Sequence, residues 1–316
     1  MRRAGQCSVR KIFAVETVRN SQKWLTIDAE EQGMTFSGLR RLTDKEQRQF
    51  EKDGYIFPIG VFERGEAERY LASFTDYQSQ NQARLEALSP KDKYQVFSET
   101  HYVLHWVYEI VSHPKVLDAM ESLLGPNLLV WATDWFVKMP GEKTYVSMHQ
   151  DGTYWNLTPP NVVTAWVALS PSTPSNGCMR VIPGTHKQPA LPQRETYAPE
   201  NALSRGQEID VEIDETQAVD LVLQPGEMSL HHLWIVHGSH ANTSSTPRIG
   251  IAIRFVTPDV VQDSPGRPLA MLVRGRDDYG NFEVLPPPSS QGETSIISHS
   301  EIINRIHSSV MISAKK

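Results

Sequence analysis

The sequence predicts a mainly β fold with flanking helices: a double-stranded β-helix (jelly roll, cupin-type barrel) buttressed by N-terminal α-helices. Two observations lead to this fold class. From position 128 onward, short alternating apolar runs are separated by turn signals, a pattern typical of antiparallel strands. Between positions 42 and 127, apolar residues instead recur at helical spacing. Many short strands at this spacing favour a barrel made of two sheets.

The helical part begins at a recognisable cap. Thr43 and Glu46 have the spacing of a capping box, which predicts a helix to about Lys52 with Gly54 as its stop signal. A strand is predicted over residues 55–62. Further helices are predicted over residues 66–88, 102–110 and 114–124.

The barrel part is divided by turn residues. The predicted strands cover residues 128–138, 145–149, 162–169, 177–182, 218–223, 227–233 and 248–256. Turns at Pro140-Gly141 and Pro225-Gly226 are of the kind that joins antiparallel strands. The polar, proline-containing stretch 188–216 predicts a lid or rim loop between strands.

Composition indicates a globular chain with a substantial core and excludes some partners. Of the 316 residues, 39% are hydrophobic and 22% charged, which is ordinary for soluble domains. A formal net charge of -6, without a basic stripe, argues against a nucleic-acid partner. No apolar run approaches the length of a membrane span. Two cysteines, Cys7 and Cys178, make no disulfide framework, so we expect a reducing, cytoplasmic location.

These features predict one folded domain between two extensions. Residues 1–41 would be an N-terminal extension; its basic beginning also has the composition of an organellar targeting segment, and Met34 is an alternative start. Residues 42–262 would form the domain, with the helical buttress at 42–127 and the barrel at 128–262. Residues 263–316 would be a C-terminal extension that is either solvated or packed back near the barrel mouth.

His149 and Asp151 are the first candidates for a chemical site. They enclose a single residue, so at a strand end both side chains would point to the same side. An imidazole beside a carboxylate supplies two ligands of a 2-His-1-carboxylate site, which leaves positions on Fe(II) open. Such a triplet is also common in surface turns, so a third ligand is required.

The third ligand is predicted to be His237. It follows an apolar run, precedes Gly-Ser, and lies eleven residues before Arg248. His231, His232 and His240 are nearby alternatives, and His231 shares the strand parity of His237. The Gly-Ser pair and the spacing to Arg248 favour His237.

Arg248 is the candidate anchor for an anion. It begins an apolar run that predicts a strand buried on both faces. Because a buried guanidinium without a carboxylate is costly, we expect a bound dianion. The guanidinium fork suits the far carboxylate of 2-oxoglutarate, whose other end chelates iron. Ser239 would add a hydroxyl donor.

Four motifs in order, M-H-Q-D, A-W-V-A-L, N-G-C-M-R-V-I-P-G-T-H-K and H-G-S-x-x-N-x-S-x-x-x-R, resemble those of the phytanoyl-CoA dioxygenase (PhyH) family of Fe(II)/2-oxoglutarate-dependent oxygenases. The resemblance covers roughly residues 42–258. It implies Fe(II), with 2-oxoglutarate and O2 as cosubstrates and ascorbate as a reductant that maintains Fe(II). It also implies hydroxylation of a small or medium-sized organic metabolite, with release of succinate and CO2. Halogenating relatives replace the carboxylate ligand, so Asp151 favours hydroxylation.

The resemblance also implies pocket residues. Trp166 would lie against 2-oxoglutarate, with a plain core tryptophan as the alternative. The candidate substrate-pocket residues are Asp134, Lys138, Tyr154, Trp155 and His186. Some relatives carry a lysine where this chain has Thr100-His101, so the resemblance does not extend to that cosubstrate contact.

The substrate stays open among an acyl-CoA, an amino acid, an aminophosphonate and a secondary metabolite. The aromatic and polar pocket candidates favour a polar molecule. We expect a monomer or homodimer with a small-molecule substrate. The alternatives are a halogenating relative and a non-redox, cupin-type metal-binding protein, which would have no need of Arg248.

Overall fold

Two β-sheets pack against each other in the computed structural model, which describes residues 40–188, 190–290 and 298–313. The predicted N-terminal extension lies outside these residues except for Arg40 and Arg41. Both contact the helix at residues 114–124: the Arg40 amide donates to Asp118 at 3.2 Å, and Arg41 pairs with Glu121 at 2.6 Å.

Most of the described helices precede the barrel, as predicted. The described α-helices are α1 (Asp44–Asp53), α2 (Arg64–Gln80), α3 (Gln82–Ala87), α4 (Tyr94–Phe97), α5 (His105–Val111), α6 (Pro114–Leu124), α7 (Gly152–Trp155) and α8 (His299–Ser313). The predicted capping box is present: the Thr43 hydroxyl accepts from the Glu46 amide, and the Glu46 carboxylate accepts from the Thr43 amide. Gly54 ends α1 in the left-handed region, with φ of 83°.

Most of the described strands form a large and a small sheet, and the rest form two two-stranded sheets. The described strands are β1 (Tyr55–Gly60), β2 (Leu128–Lys138), β3 (Val146–His149), β4 (Leu157–Thr158), β5 (Val162–Ala168), β6 (Arg180–Ile182), β7 (Gln193–Glu195), β8 (Gln207–Ile209), β9 (Val219–Asp220), β10 (Glu227–His232), β11 (Val236–Ser239), β12 (Arg248–Val256), β13 (Val261–Gln262), β14 (Leu269–Arg274) and β15 (Glu283–Val284). The large sheet has the order β1-β10-β5-β12-β2-β14-β15, and the small sheet β3-β11-β6-β9. This architecture confirms the mainly β fold class.

The central strand β12 is buried on both faces, as its apolar run predicts. Ile251 and Ile253 pack on the helical side, in a core shared with Phe74 of α2 and Met120 of α6. The helices are therefore a buttress against the outer face of the large sheet.

The opposite face of the large sheet meets the small sheet. Trp166 of β5 and Ala252 of β12 pack there against Val181 of β6. Even-numbered residues of β12, Arg248 among them, therefore face the space between the sheets. This alternation carries the basic residues of the strand to the barrel interior.

Several element bounds differ from the predictions. The 66–88 helix is interrupted at Asn81, whose side-chain amide donates to the Tyr77 carbonyl oxygen at 2.9 Å. The 177–182 strand begins only at Arg180, because Gly177 turns in the left-handed region with φ of 76°. The 218–223 strand shortens to β9, and β11 is a strand that the sequence pattern did not predict.

The chain after position 262 continues the large sheet. β14 pairs with β2, and β15 pairs with β14 in parallel. Ile302 of α8 is buried in a cluster with Tyr102 and Met271. Between residues 188 and 216, β7 and β8 form a hairpin. Within the described ranges, no helix is long and apolar enough to cross a membrane.

Candidate metal centre and cosubstrate pocket

Two neighbouring strands and one turn bring the three predicted metal ligands together. β11 pairs with β3 so that His237 lies directly opposite His149. Asp151 is not on the strand: β3 ends at His149, and Asp151 is the N-cap residue of the short helix α7. The turn, rather than strand alternation, returns the carboxylate to the histidines.

The geometry of the trio suits a single divalent ion. One ligand atom each from His149, Asp151 and His237 lies within 4.8 Å of the others. His149 Nε2 is 3.2 Å from Asp151 Oδ1, and the two imidazole centroids are 4.2 Å apart. Among the described residues, this is the set of histidine and carboxylate side chains clustered closely enough to share an ion.

Backbone carbonyls orient both imidazoles. His149 Nδ1 lies 2.9 Å from the Ser147 carbonyl oxygen, and His237 Nδ1 lies 3.1 Å from that of Ile235. Each contact places the ring proton on Nδ1 and leaves the Nε2 lone pair for a metal. The chain's own backbone thus selects the tautomer that a metal ligand needs.

The protonation states also fit a cation. Burial, and then the proximity of His149, lower the pKa of His237 to about 4. Burial raises the pKa of Asp151, but His237 and His149 outweigh it and hold that pKa below its ordinary value. A neutral imidazole and an ionised carboxylate are the forms of these side chains that bind divalent metals.

The three alternative histidines lie in different surroundings. His231 is the nearest, with Nε2 4.0 Å from Asp151 Oδ2 and its ring 4.8 Å from that of His237. His232 contacts Phe50 on the other side of β10, and His240 lies 2.7 Å from a nitrogen of Arg180. The register of β11 against β3 therefore separates His237 from its neighbours.

A second site, which we call the anion pocket, is formed by residues of the neighbouring strands β12 and β2. Arg248 and Lys138 are directly opposite each other in the strand register, and each is 2% exposed. Lys138 Nζ donates to Ser239 Oγ at 2.7 Å and to the His240 carbonyl oxygen. The Arg248 guanidinium donates to the Gly177 carbonyl oxygen, and its buried Nε has no hydrogen-bond partner in the described part of the chain.

The anion pocket has an excess of positive charge. The hydrogen-bond partners of both cations among the described residues are neutral oxygens. Burial, with Arg248 nearby, lowers the pKa of Lys138 to about 6, and burial lowers that of Arg248 to about 10. The charged form of Lys138 is thus disfavoured next to Arg248, and an anion bound between the two side chains would favour it again, so the pocket fits an anionic ligand.

Trp166 forms one wall of the anion pocket. The Arg248 Cζ lies 5.3 Å from the centroid of its ring, within cation–π range. Trp166 also belongs to the core between the sheets. Both predicted roles, core residue and pocket wall, are therefore compatible with its position.

A cavity of about 1850 Å³ opens beside the metal trio. Its lining includes His149, Asp151 and three predicted pocket residues, Asp134, Tyr154 and Trp155. Lys138 belongs to the anion pocket instead. His186 lies elsewhere, with its Nε2 3.1 Å from the Glu51 carbonyl oxygen and its ring 5.4 Å from that of His232. The geometry gives His186 no support as a pocket residue.

Sequence reasoning missed Arg254, which lines the same cavity. Its guanidinium pairs with Asp134, and its Cζ lies 5.1 Å from the ring centroid of Trp155. Arg254 has the parity of Arg248 on β12, so strand alternation was the signal that could have placed it inside the barrel.

Glu99 is a second missed residue. It lines the cavity and is 5% exposed, with φ of 57° in the left-handed region. Its amide donates to the Thr133 carbonyl oxygen at 2.7 Å, and its carboxylate accepts from the Thr133 amide at 3.3 Å. Its partner is far away in sequence, and no local pattern pointed to this contact.

A jelly-roll core with a His-Asp-His trio and a basic anion pocket defines the class of non-haem, 2-oxoglutarate-dependent oxygenases. Residues 50–250 match the family profile described as phytanoyl-CoA dioxygenase (PhyH). The chain belongs to this family, which confirms the predicted resemblance.

Curated relatives carry the same family name. The chain is 27% identical over 244 residues to a probable phytanoyl-CoA dioxygenase of Caenorhabditis elegans, covering 69% of this chain and 77% of the relative. It is 34% identical over 149 residues to the peroxisomal phytanoyl-CoA dioxygenase of Bos taurus, covering 45% of this chain and 43% of the relative. The match thus spans less than half of the bovine protein.

Solved structures show the same architecture. The apo form of the non-heme monooxygenase ThoJ is 35% identical, with a TM-score of 0.68, over 85% of this chain and 96% of that one. CytC3 with Fe(II) and alpha-ketoglutarate is 26% identical, with a TM-score of 0.59, over 82% of this chain and 98% of that one. The alignments therefore include the helical buttress as well as the barrel.

Proposed function

We propose that this protein is an Fe(II)/2-oxoglutarate-dependent dioxygenase that hydroxylates a small or medium-sized organic metabolite and releases succinate and CO2. The observation that carries the proposal is a metal trio and a pocket with two buried basic side chains, neither paired with a carboxylate, in the same barrel. A metal-binding protein without redox chemistry would need the trio alone. CytC3, whose structure contains Fe(II) and alpha-ketoglutarate, supports the pairing of the two sites.

Fe(II) and the far carboxylate of 2-oxoglutarate would bind at separate places, the metal trio and the anion pocket. His149, Asp151 and His237 would hold Fe(II), while Arg248 and Ser239 would hold the far carboxylate of 2-oxoglutarate. Lys138, which already donates to Ser239, would add a second positive charge, and Trp166 would lie along the cosubstrate. Together with 2-oxoglutarate and O2, the bound iron supplies the oxidising power for hydroxylation.

The remaining cavity would accept the substrate. Its volume of about 1850 Å³ exceeds the roughly 300–1,000 Å³ of pockets for drug-sized ligands. Its walls combine the aromatic rings of Tyr154 and Trp155 with the charges of Asp134 and Arg254. These walls would orient a polar molecule and exclude water around the iron. The β7–β8 hairpin supplies Glu195 to the cavity lining and would act as the rim or lid.

Asp151 favours hydroxylation over halogenation. Its carboxylate occupies the position that a halide would need, and the two histidines hold it ionised. The alternative of a halogenating relative is therefore disfavoured. We place the protein in the cytoplasm, on its cysteine usage, and expect a monomer or homodimer.

Turnover of 2-oxoglutarate tests the proposal. Purified protein with Fe(II), 2-oxoglutarate and ascorbate should release succinate, and a metabolite panel should contain compounds that raise the rate. An Arg248→Ala variant is the matched control, since it keeps the metal trio. Iron binding without any 2-oxoglutarate binding would favour the non-redox alternative.

A further inference from the structure

One wall of the cavity beside the metal trio is acidic. It is formed by Glu99, which precedes α5, and by Asp134 in the middle of β2. Both residues line the same cavity as His149 and Asp151. A group bound at this wall would therefore share the cavity with the iron ligands.

The Glu99 segment is fixed against β2 by contacts on both sides. Ser98 donates its hydroxyl to Asp134, and Trp135 donates its indole N–H to the Thr100 hydroxyl at 2.9 Å. His299 of α8 contacts the Ser98 carbonyl oxygen at 2.7 Å. A left-handed φ is unfavourable for glutamate, and such strain persists only where the surroundings impose it. The side chain of Glu99 is therefore held in place rather than free to turn to solvent.

The charges at this wall do not balance. The Arg254 guanidinium pairs with one oxygen of Asp134, and Ser98 donates to the other. Glu99 receives only the Thr133 amide and a 3.7 Å approach from His101, both on Oε2. Two carboxylates thus share one guanidinium, and neither the Thr133 contact nor the His101 contact with Glu99 uses its Oε1 atom.

The Glu99 carboxylate indicates the chemistry of its ligand. Burial, and then the charge of Asp134, raise the pKa of Glu99 well above its ordinary value. A cation bound beside Glu99 would favour its ionised form and lower that pKa again. A carboxylate or phosphate on the ligand would instead meet two acidic side chains. Because Arg254 is already engaged by Asp134, it does not offset that repulsion.

We propose that Glu99, with Asp134 beside it, binds a protonated amine or amidine of the substrate and orients that substrate at the iron site. The inference rests on the proposed oxygenase function and extends it to a substrate class. The ammonium or amidinium group supplies the N–H donors that an acceptor-only carboxylate needs. Trp131 and Trp155, in edge contact with centroids 5.2 Å apart, line the same cavity and suit the apolar part of such a molecule.

The test compares charged probes with neutral counterparts. The anaerobic Fe(II)–2-oxoglutarate protein is titrated with cadaverine, tryptamine and benzamidine, and with diacetylcadaverine, N-acetyltryptamine and benzamide. Binding is measured from the visible charge-transfer band of the chelate and from the melting temperature. At least one charged probe should bind, and its neutral partner should bind at least tenfold more weakly.

The variant Glu99→Gln separates recognition from structure. Glutamine keeps an oxygen to accept the Thr133 amide, so the variant should fold and keep the charge-transfer band, but its preference for the charged probe should fall at least tenfold. Glu195→Gln is the control, because Glu195 lines the cavity but is already paired with Arg205 at 3.0 Å; its preference should equal the wild type. Asp134→Asn provides a second variant with the same expected direction.

Three results would overturn the amine subsite: equal binding of charged and neutral probes, an undiminished preference in Glu99→Gln, or no binding of any charged probe. Absence of the charge-transfer band in the wild type would instead reject the oxygenase proposal. In that case, the melting temperatures of the same samples still report whether the charged probes bind at Glu99.

Discussion

The rings of His231 and His237 lie close together, with centroids 4.8 Å apart, but His237 is better oriented to bind a metal. The Ile235 carbonyl oxygen orients the ring of His237, whereas the buried Nδ1 of His231 has no hydrogen-bond partner among the residues that the structure describes. An imidazole whose other nitrogen is anchored is the better ligand. His237 also lies directly opposite His149 in the pairing of β11 with β3, which brings the two imidazoles together.

We therefore predict that His237→Ala loses stoichiometric Fe(II), while His231→Ala retains about one Fe(II) per chain. The measurement is anaerobic metal titration followed by elemental analysis, with circular dichroism to check folding. If His231→Ala loses the metal and His237→Ala keeps it, the third ligand has been misassigned.

Arg248 and Lys138 make different contributions to the anion pocket. Arg248 has a planar fork of donors, while lysine is a compact point charge. We predict that Arg248→Ala raises the KM for 2-oxoglutarate by at least tenfold, and that Arg248→Lys raises it less because the charge remains. Initial rates of succinate release at varied 2-oxoglutarate measure both. Superimposable saturation curves for wild type and both variants would remove Arg248 from the cosubstrate site.

At the scale of single elements, local signals were the most informative. The capping box at Thr43 and Glu46 and the apolar run after Arg248 are encoded within a few residues, and α1 and β12 appear where these patterns predict them. β11 escaped prediction because it is four residues long and includes a glycine, which is weak as a strand former. Its pairing with β3 depends on residues about ninety positions away, beyond any local pattern.

Asp151 lies beside His149 as predicted, but for a different structural reason. Strand alternation predicted that His149 and Asp151 share a side, but the strand ends between them. Glu99 was missed for the opposite reason: its left-handed backbone and its contact with Thr133 are tertiary features. Motifs therefore predicted the metal trio and the resemblance predicted Asp134, whereas Glu99 was identified only from the structure.

The glycine of β11 is a sensitive point of this element. A Cβ on Gly238 would lie 2.8 Å from the Val146 carbonyl oxygen and 3.1 Å from the Met148 amide nitrogen, both on β3. We predict that Gly238→Ala pushes β11 from β3, misplaces His237 and lowers Fe(II) affinity at least tenfold. Metal titration of the folded variant measures the effect. The control is Gly65→Ala, where nothing lies within 4 Å of the added Cβ; equal affinity in both variants would contradict the role of the β3–β11 spacing.

At the scale of the whole molecule, the pairing of Lys138 with Arg248 across β2 and β12 makes both the stability of the protein and its binding of 2-oxoglutarate depend on pH. In the unfolded chain Lys138 would keep its proton up to about the ordinary lysine pKa of 10.5, whereas in the folded protein burial lowers that pKa to about 6. Between these values the unfolded state binds more protons, so this group's contribution to the free energy of unfolding rises with pH. The contribution is greatest above the unfolded pKa and is lost as pH falls toward about 6.

A bound dianion should reverse this depression and return the proton to Lys138. We therefore predict that 2-oxoglutarate binding at about pH 8 takes up close to one proton, while Arg248, with a pKa of about 10, stays charged throughout. Calorimetric titration of the Mn(II) protein, in two buffers of different ionisation enthalpy, measures the uptake as a difference in apparent binding enthalpy. Lys138→Met should abolish that difference and raise the melting temperature of the ligand-free protein, since it removes a buried amine facing a guanidinium. Equal apparent enthalpies in both buffers for the wild type would show that Lys138 does not take up a proton on cosubstrate binding, and would exclude it as the second cation for the far carboxylate.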